Sequence, residues 1–350
     1  MNNIDFIIVG QGLAGTLLAH DLIDAKKNIL IIDKQLEASA SKVAAGLINP
    51  VGMKRCIPSF MSDVYLPKAL NTYRSLEKKL KVSFLHLKPI VRLFSNLDVK
   101  RDWEIKYSNE NMDKYISSFN NPDKFSFLKD SFGSANVEPA GHLDVNLFLD
   151  KSREYFKLNN LLINEIFNFD FFDENNISYK SITAQKIIFC EGFRLRENPF
   201  FKYLPITPTK GEVMKIRVPS EKNFGRIISK GIYILPLGDY IYLVGATYNR
   251  IDFTDALTEQ GQAFLKTKIN EVLNVDYEIV SSVAGVRPTT KDRRPLLGLH
   301  PKNPSIAVFN GLGTRGVLQG PSLSNELCDF LIRSKYENSI SKFNNISRFN

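Results

Sequence analysis

Gly10, Gly12 and Gly15 stand in G-x-G-x-x-G spacing, and Asp33 follows 18 residues after the last of them. An apolar run, Phe6, Ile7, Ile8 and Val9, precedes the glycines, and Leu13, Leu17, Leu18 and Leu22 recur behind them at helical intervals. A second apolar run over residues 29–32 leads into Asp33. This order predicts a buried strand, a tight turn, a helix and a second parallel strand. Gly10 permits the turn, Gly12 lets backbone approach a pyrophosphate, and Gly15 lets the helix pack close to the strand. The helix N-terminus, with Leu13 and Ala14, faces the phosphates. Asp33 is placed to accept from an adenosine ribose hydroxyl, with Lys34 beside it. The spacing therefore reads as a dinucleotide site, and the plain alternative is a glycine turn in another α/β fold.

Four further segments carry unusual residue choices: SASKVAAGLINP (39–50), TPTKGEVMKIR (207–217), AGVRPTTKDRRPLLG (284–298) and NGLGTRGVLQGP (310–321). Together with the glycine turn they resemble the FAD-dependent D-amino-acid oxidase superfamily, in particular its glycine-oxidase and sarcosine-oxidase branch. The resemblance implies a flavin between the nucleotide site and a substrate cavity. Ser41, Ala45, Gly46 and Leu47 match the loop that runs along the pyrophosphate and one flavin face, where small side chains give backbone N–H groups clearance. Gly192, at the end of the apolar run AQKIIFCEG, marks the return of the chain to the nucleotide domain. Gly313, Thr314, Arg315, Gly316 and Val317 match the closing flavin motif, whose N–H groups can stabilise negative charge on the reduced ring.

The same resemblance places the substrate carboxylate on Arg287, because a guanidinium offers two parallel donors to a carboxylate. The structural alternative is an Arg287–Asp292 pair. Tyr233 and Tyr248 fall where related enzymes line the substrate cavity, and each reads equally as a barrel-core aromatic. Lys210 is either a cation near the cavity or an exposed strand-edge lysine. The segment 284–298 has no cysteine, so FAD is expected to be noncovalent. The implied reaction is oxidation of a C–N bond beside a carboxylate, by hydride transfer to flavin, with oxygen as acceptor and hydrogen peroxide as product. The ending G-L-G-T-R-G resembles instead the FAD-dependent half of the tRNA-modification enzyme MnmC, whose substrate is a carboxymethylaminomethyl group on tRNA. Arg287 would keep its task there. A small-molecule amine or amino acid is favoured over tRNA, and a nonenzymatic dinucleotide-binding protein is the third reading.

The elements needed to position these residues are legible in part. The chain has 350 residues, 43% hydrophobic and 24% charged, which suits one large or two intimate domains with a substantial core. The expected fold class is α/β, a Rossmann-like FAD-binding domain interleaved with a mixed-sheet α+β substrate domain. The FAD domain is expected to take residues 1–80, 137–205 and 286–335, the substrate domain 81–136 and 206–285, and the tail 336–350 to be loosely held. Residues 87–95 read as one strand, residues 96–135 as helix and loop, and the final helix as 322–335. Helices are expected over 144–157 and 258–273, the second capped by Thr258.

Cys56, Cys190 and Cys328 are scattered, and His20, His86, His142 and His300 have no partners at ligand spacing. Neither a disulfide framework nor a metal is expected, which favours a reducing cytoplasm. No apolar run approaches the ~18–20 residues that span a bilayer, so no membrane role is expected. The net charge of +9 admits a polyanionic partner. However, acids interleave with the basic residues, and Lys54 and Arg55 are the candidate phosphate contacts beside the flavin loop.

Overall fold

The computed structural model describes residues 4–35, 39–120, 127–129, 131–221, 224–333 and 344–349. The first strand, Ile4–Val9, pairs in parallel with Ile29–Ile32 on one side and Ile182–Phe189 on the other. Ile306–Asn310 continues the parallel sheet beyond Ile182–Phe189. Ile7, Ile8, Ile31 and Ile188 are fully buried because helices or loops cover both faces of this sheet. Helix Leu13–Asp24 packs on one face through Leu17, Leu18 and Leu22. Between it and the sheet there is no room for a side chain at position 15: a Cβ on Gly15 would lie 1.9 Å from the Gly10 carbonyl oxygen.

A second, mostly antiparallel sheet runs in the order Glu278–Arg287, Thr209–Arg217, Ile241–Gly245, Tyr233–Gly238, Ile227–Ser229, Ile90–Leu93, Ser134–Val137 and Ile116–Asn120. Its sharpest turn joins Tyr233–Gly238 to Ile241–Gly245, where Gly238, Asp239 and Tyr240 all take positive φ. Helix Glu259–Asn270 covers one face, burying Leu265 and Ile269, and the Thr258 hydroxyl caps it by accepting from Gly261 N. The molecule is thus mixed α/β, and its two large sheets each draw on distant parts of the chain.

Several expectations need correction. Residues 87–95 do not form one strand. Leu85–Leu87 lies in a small sheet with Gly141–Leu143, and Ile90–Leu93 lies in the second large sheet. Pro89, which has no N–H, sits at the break. Residues 96–135 contain helix Leu97–Asn109 but also strand Ile116–Asn120 at the sheet edge and the start of Ser134–Val137 beside it. Their Ser and Asn residues obscured the alternation. Strand Leu296–Leu299 went unrecognised within the Arg-Pro segment.

The final helix begins at Gly316, six residues earlier than expected, and holds Pro321 inside it. Pro321 cannot donate to the Val317 carbonyl, and the Tyr73 hydroxyl does so instead at 2.9 Å. The tail is partly anchored. Ile346 is buried, and Arg348 pairs with Asp292 at 2.8 Å. Residues 336–343 of that expectation lie outside the described residues.

Candidate active site

The glycine turn is forced by what surrounds it. Gly10 has φ +100°, and a Cβ there would lie 2.6 Å from the Cys190 carbonyl oxygen. Past it, Gln11 N donates to Asp33 Oδ1 at 2.9 Å. The other Asp33 oxygen accepts from Arg153 Nη1 at 2.8 Å. Arg153 also donates to Gln11 Oε1 at 2.8 Å, to the Asp33 carbonyl at 3.0 Å and to Asn164 Oδ1 at 2.7 Å. One buried guanidinium therefore ties the first glycine turn, the end of the second strand and the segment after Leu162–Ile163. Sequence reasoning missed it. The available signal was a charged residue on the apolar face of helix Val145–Leu158, beside Phe148, Leu149, Ser152 and Phe156.

The loop after Asp33 contains a short helix, Ala40–Val43. Ser41 Oγ accepts from Leu13 N at 3.1 Å, which fixes this loop against the start of the first helix. Gly46 has φ +66°, and a Cβ there would lie 1.9 Å from the Leu143 carbonyl oxygen. Gly192, also at positive φ, receives a hydrogen bond on its carbonyl from Asn310 Nδ2 at 2.9 Å. Next to it, the Glu191 carboxyl accepts from Asn198 Nδ2 at 2.7 Å. Burial raises the Glu191 pKa to about 7, against the lowering effect of Asn198.

At the far end, Thr209–Arg217 and Glu278–Arg287 pair so that Thr209 faces Arg287 and Gly211 faces Gly285. The Arg287 side chain folds back over Gly211, where a Cβ would lie 1.9 Å from Nη2. Its Nη1 reaches the Thr247 carbonyl at 3.5 Å, and no carboxylate pairs with it among the described residues. Burial lowers the Arg287 pKa, opposed by Tyr233 and Tyr248. Asp292, the alternative partner, is held by Arg348.

Tyr233 packs over Gly245, and burial raises its hydroxyl pKa. Tyr248 is about half exposed, with Arg250 Nη2 3.5 Å from its hydroxyl. Partial burial raises the Tyr248 pKa, but Arg250, Thr209 and Arg293 together bring it below the ordinary value. Lys210 is neither exposed nor in the cavity: it is fully buried, paired with Asp252 and bonded to Thr254.

These parts enclose one cavity of about 1070 Å³. It is lined by Gly10, Gly12, Leu13, Ala14, Asp33, Lys34, Ser41, Ala45, Gly46, Leu47, Gly192, Gly313, Thr314, Gly316 and Val317, and also by Tyr233, Tyr248 and Arg287. Two expected contacts do not line it. Gly15 serves helix–strand packing, and Arg315 turns its guanidinium toward Gly52. Gln11, Glu191 and Gly211, which no motif marks as contacts, line it as well. No cluster of His, Cys, Asp and Glu among the described residues is arranged to hold a metal. No helix there is long and apolar enough to cross a membrane.

A family model described as FAD dependent oxidoreductase matches residues 5–330. The chain belongs to this family. Among its relatives is the bifunctional protein ThiO/ThiG of Trichormus variabilis, 34% identical over 153 residues, which are 42% of this chain and 23% of that protein. The tRNA 5-methylaminomethyl-2-thiouridine biosynthesis bifunctional protein MnmC of Campylobacter jejuni subsp. doylei is 22% identical over 312 residues, 85% of this chain and 46% of that one. The matches thus span less than half the length of these curated relatives. The crystal structure of glycine oxidase from Geobacillus kaustophilus shares the fold, with a TM-score of 0.82 and 19% identity over 98% of each chain.

The cofactor of this oxidoreductase is FAD. The cavity fits such a group. It is larger than most drug-sized sites, Gly10 and Gly12 bring bare backbone to its wall, and a helix N-terminus opens onto it.

Proposed function

We propose that this oxidoreductase oxidises the C–N bond of an amino acid or N-substituted glycine, with oxygen as the final acceptor and hydrogen peroxide as product. The observation that carries the reading is Arg287. Its largely buried guanidinium has no acid partner among the described residues, and it lies in the same cavity as the glycine turn. A buried cation without a counter-charge is costly, and a substrate carboxylate supplies one. Bound FAD, held without a covalent link, supplies the two-electron acceptor. Gly10, Gly12, Leu13, Ala14, Asp33 and Lys34 would hold its adenosine and pyrophosphate. Ser41, Ala45, Gly46, Leu47, Gly192, Gly313, Thr314, Gly316 and Val317 would hold its ring end.

The protein's own part is positioning. Arg287 fixes the carboxylate by two donors, so the α-carbon has one orientation. Tyr233, with its hydroxyl beside the Arg287 charge, borders the carboxylate or amine. Tyr248, half exposed on the cavity wall, would limit the size of the amine substituent.

A second reading has its own support. Similarity to the MnmC relative extends over 85% of the chain. A carboxymethylaminomethyl group on tRNA is an N-substituted glycine, so Arg287 would bind it in the same way. Anaerobic flavin bleaching against amino acids, N-alkylglycines and hypomodified tRNA separates the two. Arg287→Ala is expected to retain FAD and lose efficiency by about 30-fold to several thousand-fold, the equivalent of roughly 2–5 kcal/mol for a buried charge-assisted pair. Arg287→Lys should recover part of it. Equal reduction rates for parent and Arg287→Ala at low substrate would remove Arg287 from the site. A yellow protein that no amine bleaches would support the nonenzymatic reading.

A further inference from the structure

Lys210 and Glu212 stand two apart on strand Thr209–Arg217, so they face the same side of the sheet, and they are 0% and 2% exposed. Both fix the segment that follows Ile241–Gly245. At its root, Thr247 N donates to the Glu212 carbonyl at 3.1 Å, and Thr247 Oγ1 accepts from Glu212 N at 2.8 Å. At its far end, Glu212 Oε1 accepts from Thr258 N at 3.2 Å and from Thr258 Oγ1 at 2.6 Å. Between these points Lys210 and Asn249 exchange backbone hydrogen bonds at 2.8 and 3.0 Å, and the Lys210 ammonium pairs with Asp252. Asp252 Oδ1 in turn accepts from Thr254 N at 2.8 Å.

Residues 249–257 have no apolar anchor. Ile251 is 90% exposed and Leu257 46%, and neither Phe253 nor Ala256 is buried. Polar contacts are their main attachment, and a stretch with few buried apolar contacts opens at lower cost than the sheet beneath it. Yet Phe253, Thr254 and Asp255 line the cavity that holds Arg287. The Arg196 guanidinium lies over the Phe253 ring, 5.3 Å from its centroid. Arg196 belongs to the turn Gly192–Glu197, which follows strand Ile182–Phe189 of the first sheet. The segment therefore reaches from the second sheet, along a wall of the cavity, to the first. The Thr247 carbonyl that receives Arg287 Nη1 lies at its root.

We propose that residues 249–257 form a strap that swings away to admit the substrate and closes beside its amine substituent, with Lys210 and Arg196 as the positioning residues that latch it. The gating role rests on the amine-oxidation reading; the two latches do not. Lys210 holds the middle of the strap from beneath, through an ion pair that water reaches from the Asp252 side: the Asp252 side chain is 28% exposed and that of Lys210 1%. Arg196 catches the cavity side by a cation–π contact, which is weak enough to release. Loops that open for entry and close for chemistry keep water from the reacting centre.

Two measurements on the FAD-loaded protein test it. Trypsin can cut after Arg250 only when the strap leaves its partners, because Asn249 is bonded through N–H and carbonyl to Lys210, and Ile251 N to Asn249 Oδ1. The rate of that cut follows the population of the open form. Lys210→Met should raise it at least tenfold with cuts at other sites unchanged, and Arg196→Gln, on an exposed turn, at least threefold. Anaerobic flavin reduction then compares N-methylglycine with N-benzylglycine. The parent should favour the smaller amine at least tenfold in kcat/KM. Each variant should reduce that preference at least threefold, through a higher KM for N-methylglycine with kcat retained. A cut after Arg250 that is unchanged in Lys210→Met, or an equal rise at every site, overturns the strap. A preference unchanged in both variants, with the cut after Arg250 raised, overturns the gating role. If neither amine reduces the flavin and the cut after Arg250 still rises selectively, the amine reading fails and the latched strap stands.

Discussion

Replacing Arg153 by Met, a side chain of comparable length, would test how the nucleotide end is held. Arg153 makes four hydrogen bonds, to Gln11, Asn164 and both the carboxylate and carbonyl of Asp33. Its side chain is 5% exposed and that of Asp33 21%. Breaking a fully buried ion pair costs roughly 3–5 kcal/mol, because the remaining charge is left without a partner. Solvent reaches Asp33, so the loss here should be smaller, about 2–3 kcal/mol. Urea unfolding of the apoprotein measures it. On the proposal that Asp33 meets the cofactor's ribose, FAD affinity should also fall by about tenfold (about 1.4 kcal/mol), since Asp33 loses the group that aligns it. Arg153→Lys should restore only part of both, because an ammonium cannot reach Gln11, Asp33 and Asn164 with a planar fork. If Arg153→Met loses stability but binds FAD as tightly as the parent, the alignment of Asp33 is irrelevant to the cofactor.

Two further outcomes follow from single geometric facts. Gly211→Ala would put a methyl 1.9 Å from Arg287 Nη2, so the guanidinium must move. KM for the carboxylate substrate should rise tenfold or more with FAD retained, and an unchanged KM would show that Arg287 does not bind from its present position. Glu191 has its folded pKa raised from 4.5 to about 7 by burial, opposed by Asn198 and Arg194. The folded protein therefore holds this proton more tightly than the unfolded chain, and the associated stability is lost as pH rises from about 4.5 through about 7. Its ceiling is about 3 kcal/mol. Glu191→Gln should flatten the urea midpoint between pH 5 and 8, and a slope identical to the parent's would rule Glu191 out as its source.

The sequence by itself determined the local parts of this protein. The apolar run at Phe6–Val9, the glycine spacing and the leucine repeat gave the strand, turn and helix, because each signal acts within a few residues of its effect. The cap of Thr258 was readable for the same reason. Motif order also indicated an FAD-dependent fold. What lay outside reach were relations between distant segments. Nothing near Arg153 in sequence announces Asp33, 120 positions away. The edge strand Ile116–Asn120 and its neighbour Ser134–Val137 lack clear apolar alternation, and pairing with neighbours decides them. Lys210 reads as a cavity cation or an exposed edge lysine until the segment carrying Asp252 buries it in an ion pair. Arg315 reads as part of a flavin motif until the hairpin at Gly52 gives its side chain another direction. A side chain's neighbours across the fold set its burial and counter-charge, and these exist only once the two sheets and their connecting loops have packed together.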